Sequence, residues 1–102
     1  MRKPLAVEAI PSAAQQIRDA AAWWRENAEY DILLEAVERA FNLLAMQPYI
    51  GAPASSSKLQ GVRRLHLSRV HYHLYYRVFP QQERVEILAL WHTGRGSPPP
   101  LE

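Results

Sequence analysis

Residues 61–79, GVRRLHLSRVHYHLYYRVF, decide the fold, because here the apolar period becomes two. Successive side chains of a strand point to opposite faces, so this period reads as extended backbone with one face buried. Leu65 and Leu67 fall on one face, and Arg64, His66 and Ser68 on the other. Arg69-Val70 reads as a tight connection. The next run sets Val70, Tyr72, Leu74, Tyr76 and Val78 on the apolar face, leaving His71, His73, Tyr75, Arg77 and Phe79 opposite. Pro80-Gln81-Gln82 reads as a turn. Arg84 to Trp91, RVEILALW, then reads as a strand apolar on both faces, with Val85, Ile87, Ala89 and Trp91 set against Leu88 and Leu90. Two apolar faces are expected of an interior strand covered on both sides.

Upstream, residues 48–61, PYIGAPASSSKLQG, concentrate Pro, Gly and Ser and read as the main loop. Before it the period is helical. Leu34, Val37, Phe41, Leu44 and Ala45 form one stripe, with Asp31 placed to cap it and Pro48 beyond its end. Ala13, Ile17, Ala20, Ala21, Trp24 and Ala28 form another, predicting a helix over about 13–28 started by a Ser12…Gln15 capping box. Trp24 lies on the buried stripe, whereas Trp23, one step round, faces outward. Residues 4–10, PLAVEAI, read as a strand closed by Pro11. The order strand, helix, helix, strand, strand, strand predicts an α+β fold, with a helical hairpin packed on one face of a four-stranded, mostly antiparallel sheet.

The chain has 102 residues, enough for one domain (1–102), with 97–102 expected to be a flexible tail. Leu101-Glu102 reads as a cloning remnant and carries no weight. Cysteine is absent, which excludes disulfides, thiolate metal sites and a cysteine nucleophile. Neither a signal peptide nor a membrane span is recognisable, so a cytoplasmic location is expected. Charge is unevenly divided: residues 1–50 hold five Arg/Lys against seven Asp/Glu, and 51–102 hold seven against three. The sheet face away from the helices would carry Arg64, His66, His71, His73 and Arg77 as a concave, basic, aromatic-edged surface.

Histidines surrounded by arginines make a poor cation site, so no metal and no cofactor are expected. An anion suits them better. Arginines can neutralise a phosphodiester, and an imidazole whose pKa is lowered by neighbouring cations can exchange protons at neutral pH. No Gly-rich phosphate loop, Ser-His-Asp arrangement or paired-carboxylate signature is present.

The element order, together with GVRRLHL (61–67), YHLYYRV (72–78) and VEILALWHTGRG (85–96), resembles the RelE/ParE superfamily of bacterial toxins. The resemblance spans nearly the whole chain. It implies one of two activities: RelE-like members cut mRNA in the ribosomal A site, whereas ParE-like members poison DNA gyrase without cutting RNA. Where RelE places two lysines on the second strand, this chain has Arg64 and His66, and where RelE has a catalytic arginine on the third strand, it has His73. RelE's later arginine and its C-terminal tyrosine are matched by Thr93 and Pro99, with Arg95 a shifted substitute. A metal-independent endoribonuclease would therefore rest on Arg64, His66, His73 and Arg95. The LWHTGRG ending followed by prolines resembles ParE members, so a gyrase poison that is not itself an enzyme is the expectation, with Trp91, His92 and Arg95 touching the target. Both branches imply a cognate antitoxin of the ParD or RelB kind in a hetero-oligomer, with Trp23, Arg69 and Arg77 as its contacts. A non-toxic nucleic-acid-binding module is the third reading.

Overall fold

The computed structural model describes residues 3–28, 31–54 and 58–101. The elements are β1 (Ala6–Ala9), α1 (Pro11–Asn27), α2 (Ile32–Met46), β2 (Ala52–Pro53), β3 (Arg63–Leu67), β4 (Tyr72–Phe79) and β5 (Arg84–His92), with a short 3-10 turn at Pro80–Gln82 before β5. The sheet has five strands in the order β1-β5-β4-β3-β2, one more than expected. The addition is β2, a two-residue edge strand pairing Ala52 with Arg64 and Pro53 with Arg63. It is too short to carry an alternation, and proline is tolerated on an edge because its missing N–H is not needed there. Only β1 pairs in parallel, on β5, so β5 is interior, as its two apolar faces imply.

Both helices lie on one face. Ala13 and Ala21 of α1 and Leu33, Val37, Ala40 and Leu44 of α2 meet Leu67, Leu74, Tyr76, Val85, Ile87 and Leu90 of the sheet in the main core. The Ser12 capping box does not form: α1 begins at Pro11, with Ile10 at the cap position and no side-chain cap hydrogen bond. Proline's fixed φ and missing N–H suit the first helical position, so the helix starts two residues earlier and Ser12 lies inside it. Asp31 does occupy the cap position of α2, but its carboxylate is drawn to Arg25 Nε at 3.3 Å and makes no cap bond.

Two departures from the expected alternation matter for the site. First, β4 starts at Tyr72. Val70 and His71 belong to the preceding turn, where both amides donate to the Leu67 carbonyl (3.2 and 2.9 Å), and His71 adopts φ 61°. Val70 still reaches the core, but His71 leaves the sheet face assigned to it. Second, the register between β4 and β5 slips at Tyr75/Tyr76, which pair with Ala89 and Ile87 and leave Leu88 as an extra residue. Such a bulge reverses the alternation beyond it. Val85, Ile87 and Leu90 therefore face the helices, whereas Leu88, Ala89 and Trp91 face away, which corrects the assignment of Ala89, Leu90 and Trp91.

Candidate functional site

The face away from the helices is partly roofed rather than bare. Val62, Tyr75, Leu88 and Ala89 form a second buried cluster, with Ala54, Leu59, Trp91 and Leu101 packed on it. Pro99 is buried, and Trp91 Nε1 donates to the Ser97 carbonyl at 2.8 Å. Residues 97–101, expected to be a tail, thus run back over the sheet. Glu102 lies outside the described residues.

Strand register brings three of the expected residues together. His66 pairs with His73, and Arg64 with Tyr75; His73 also pairs with Trp91 on its other side. The His66 and His73 rings stand edge to face with centroids 5.1 Å apart, and the Tyr75 ring lies 6.2 Å from His73. The His73 pKa is lowered by partial burial first, then by the Arg64 guanidinium and His66. A depressed imidazole pKa keeps the ring neutral near pH 7, able to accept a proton beside a fixed guanidinium. Among the described residues no group of three or more His, Cys, Asp or Glu side chains is arranged to hold a metal ion.

The other expected residues fall elsewhere. Arg77 is on the same face but farther along, its guanidinium 5.2 Å from the Phe79 ring, with Arg84 at 4.7 Å from that ring. Arg84 in turn reaches Glu86 at 3.2 Å, which ties this end into a local charge network. His71 lines a hollow with Trp23, Trp24, Tyr72 and His92. Arg69 sits in the β3–β4 turn, on the rim of a groove of about 200 Å³ between α2 and β3, floored by Ala36, Ala40, Leu43, Leu65 and Leu67. Arg39 and His66 complete that rim. Trp23, Arg69 and Arg77 therefore occupy three separate surfaces. Trp23 is 57% exposed, as its helical position implies, while Trp24 packs on the core.

At the end of β5, Trp91, His92 and Arg95 do come together. The Arg95 guanidinium lies 4.0 Å over the Trp91 ring, a cation–π stack. His92 packs edge-on against Tyr72 at 5.1 Å and 88°. A second hollow beside them is lined by Gln16, Asp19 and Trp23 from α1 as well as Trp91, His92 and Arg95. Thr93 does not enter the histidine pair: its amide donates to the His71 carbonyl at 2.9 Å.

Sequence reading missed Gln16 and Arg63. The Gln16 side chain accepts the Leu90 amide at 2.9 Å, covering β5 where β1 no longer reaches it. Arg63 donates to the Gly51 carbonyl at 2.7 Å and the Tyr49 carbonyl at 3.2 Å, while Arg64, its neighbour, faces the opposite side of β3. Period two does separate the two arginines, but nothing in it says which would be structural.

No helix among the described residues is long and apolar enough to cross a membrane. No curated protein sequence matches the chain. Two solved structures are similar in fold. One is the chromosomal ParDE toxin–antitoxin system from P. aeruginosa, at TM-score 0.65 and 21% identity, covering 86% of this chain and 95% of that one. The other is the toxin–antitoxin complex RelBE2 from Mycobacterium tuberculosis, at TM-score 0.66 and 24% identity, covering 95% and 98%. A family model for the ParE toxin of the type II toxin–antitoxin system parDE matches residues 7–96. With nearly the whole domain matched and the predicted element order in place, the chain belongs to the ParE toxin family, the toxin side of a type II toxin–antitoxin pair.

Proposed function

We propose that this toxin acts on DNA gyrase and that it meets the enzyme with the end of β5, through Trp91 and Arg95 with His92 beside them. The observation that carries the reading is the stacked Arg95–Trp91 pair at the exposed end of β5, 4.0 Å apart and presented by a hydrogen-bonded turn. The residues that would complete an RNA-cutting site support the same reading by their absence from the histidine pair. Thr93 spends its amide on the turn, Pro99 is buried, and Arg95 is stacked on indole. A nuclease without those groups would lack transition-state charge stabilisation and an acid–base partner, each worth about two to four orders of magnitude in rate.

The antitoxin is placed in the α2–β3 groove. Its floor is apolar, its rim carries Arg39, Arg69 and His66, and the β3 backbone beyond Arg64 is not covered by β2. An acidic segment with alternating apolar residues fits both the charge and the open strand edge. Exposed Trp23 offers a second contact on α1.

One observation favours a second reading. His73, held neutral beside Arg64 and 5.1 Å from His66, has the form of a general base, as a ribosome-dependent mRNA endonuclease would require. A paired experiment separates the two. Purified toxin is added to gyrase in a supercoiling assay, and mRNA 5′ ends are mapped after induction without antitoxin. The gyrase reading expects lost supercoiling with intact messages, and it expects Arg95→Ala to relieve the inhibition while His73→Ala does not. New 5′ ends within codons, abolished by His73→Ala, would establish the nuclease instead.

A further inference from the structure

The turn after β5 is organised around a single ring nitrogen. The Gly94 amide donates to His92 Nδ1 at 3.0 Å. The Arg95 amide donates to the His92 carbonyl at 3.2 Å, and the Thr93 amide donates to the His71 carbonyl at 2.9 Å. All three amides that follow His92 are thus committed. The imidazole itself is braced edge-on against Tyr72, with centroids 5.1 Å apart.

We infer that His92 is a positioning residue, whose unprotonated Nδ1 locks the turn that holds Arg95 over Trp91, and whose protonation releases it. The inference rests on the proposal that Trp91 and Arg95 face the target.

An imidazole nitrogen that accepts an N–H bond carries no hydrogen, so the neutral ring must bear its proton on Nε2. Adding a proton to Nδ1 sets two N–H groups against each other and ends the Gly94 bond. The arrangement also explains the glycine. A Cβ at Gly94 would lie 3.0 Å from Nδ1 and 3.1 Å from Cε1 of His92, so a side chain there requires the ring to give way slightly from the position in which it accepts the Gly94 amide. Glycine serves here as a close-approach residue rather than as a source of unusual dihedrals. Downstream of this contact, Arg95 sits 4.0 Å over Trp91, whose own indole N–H is bonded to the Ser97 carbonyl. Among the described residues the titratable and charged groups around the ring are Tyr72 from β4, His71 from the β3–β4 turn, Asp19 from α1 and Arg95 in the turn itself. Protonation of the ring beside Asp19 and Arg95 changes the local charge as well as the hydrogen bond.

The test uses the full chain, ¹⁵N-labelled, in long-range ¹H–¹⁵N spectra of the imidazoles together with amide exchange across a pH series. The lock requires His92 to bear hydrogen on Nε2 near neutrality and the Gly94 amide to titrate with the same midpoint as the ring. Two variants sharpen it. His92→Asn sets a non-titrating oxygen where Nδ1 was. It should keep the Gly94 amide protected without pH dependence. His92→Gln reaches the Nε2 position instead and should speed Gly94 exchange about fivefold, the value of one lost exposed hydrogen bond. In the supercoiling assay His92→Asn should then inhibit at lower concentrations than His92→Gln.

A hydrogen on Nδ1, or a Gly94 amide indifferent to the His92 titration, overturns the lock. If the lock is seen and the native toxin inhibits gyrase, but Asn and Gln variants inhibit alike, the positioning role is overturned. If the lock is seen and the native toxin leaves gyrase untouched, the lock stands and the gyrase proposal fails.

Discussion

Tyr76 supplies a measurable test of how the loop before the sheet is held. Its side chain is fully buried, and its hydroxyl accepts the Gly51 amide at 2.8 Å. Tyr76→Phe leaves that buried amide without a partner, a loss of ~1–3 kcal/mol. In a domain of this size each kcal/mol moves the melting temperature by roughly 4–8 °C, so a fall of about 5–20 °C is expected. The same contact can be approached from the other side. A Cβ at Gly51 would stand 2.6 Å from the Tyr76 hydroxyl and 2.9 Å from both Tyr76 Cε1 and the Arg64 carbonyl, so Gly51→Ala overpacks the site. That costs ~1–3 kcal/mol. Removing the hydroxyl also removes the closest of those clashes, so the double variant should be more stable than the two losses added together, with a coupling of about 0.5–2 kcal/mol. The assay is urea unfolding followed by circular dichroism at fixed m-value. A pH signature accompanies it. Burial raises the Tyr76 pKa, outweighing the opposing Gly51 bond and Arg63, so the folded state holds the phenol proton more tightly than the unfolded one. Stability present up to the ordinary phenol value, about 10, is lost as pH rises beyond it, and Tyr76→Phe removes that loss. An unchanged melting temperature for Tyr76→Phe, or costs that add within about 0.3 kcal/mol, would refute the argument.

Three further outcomes are expected. Because His73 titrates lower when folded, its contribution to stability is present above about pH 6.5 and lost as pH falls below it, so His73→Gln should flatten the acid limb of the stability curve. Gln16→Ala should cost ~0.5–1.5 kcal/mol and accelerate hydrogen exchange at Leu90 specifically, since it removes the acceptor of that amide; equal acceleration along all of β5 would indicate general loosening instead. Leu74→Ala, at a fully buried position, should cost ~2–5 kcal/mol, whereas Trp23→Ala should stay within about 0.5 kcal/mol of the native chain and instead weaken antitoxin binding, measured by calorimetry.

What could be read in advance followed from periodicity, and what could not depended on single residues. The helix stripes, the interior character of β5 and the outward placing of Trp23 all come from spacing, because burial of one face is a collective property of ten or more side chains. The pairing of His66 with His73 follows as well, once a tight turn joins the two strands. Strand β2 was illegible because two residues carry no period. The left-handed turn at His71 and the extra residue at Leu88 were illegible for a different reason: each is one residue out of phase, and alternation continues plausibly on either side. The burial of Pro99 and the packing of Leu101 left no signal, since a proline-rich ending reads as a loose tail until there is a surface for it to lie on. Gln16 and His92 act through one hydrogen bond each, and a single polar side chain does not announce its partner.

The unpaired Leu88 makes β5 behave like a text with an inserted letter. From Arg84 to Ile87 the strand is read in one frame, and from Ala89 to His92 in the other. Deleting this one residue would heal the alternation and leave Leu90 and Trp91 on their present faces. Drawing Leu88 into the regular ladder, with no change of composition at all, would instead exchange the fates of Leu90 and Trp91, sending the leucine to the face away from the helices and the indole under them, and Arg95 would lose the ring it stacks on. Relatives of equal strand length that lack the bulge would thus be expected to present a different surface at its end, even where every aligned side chain is the same.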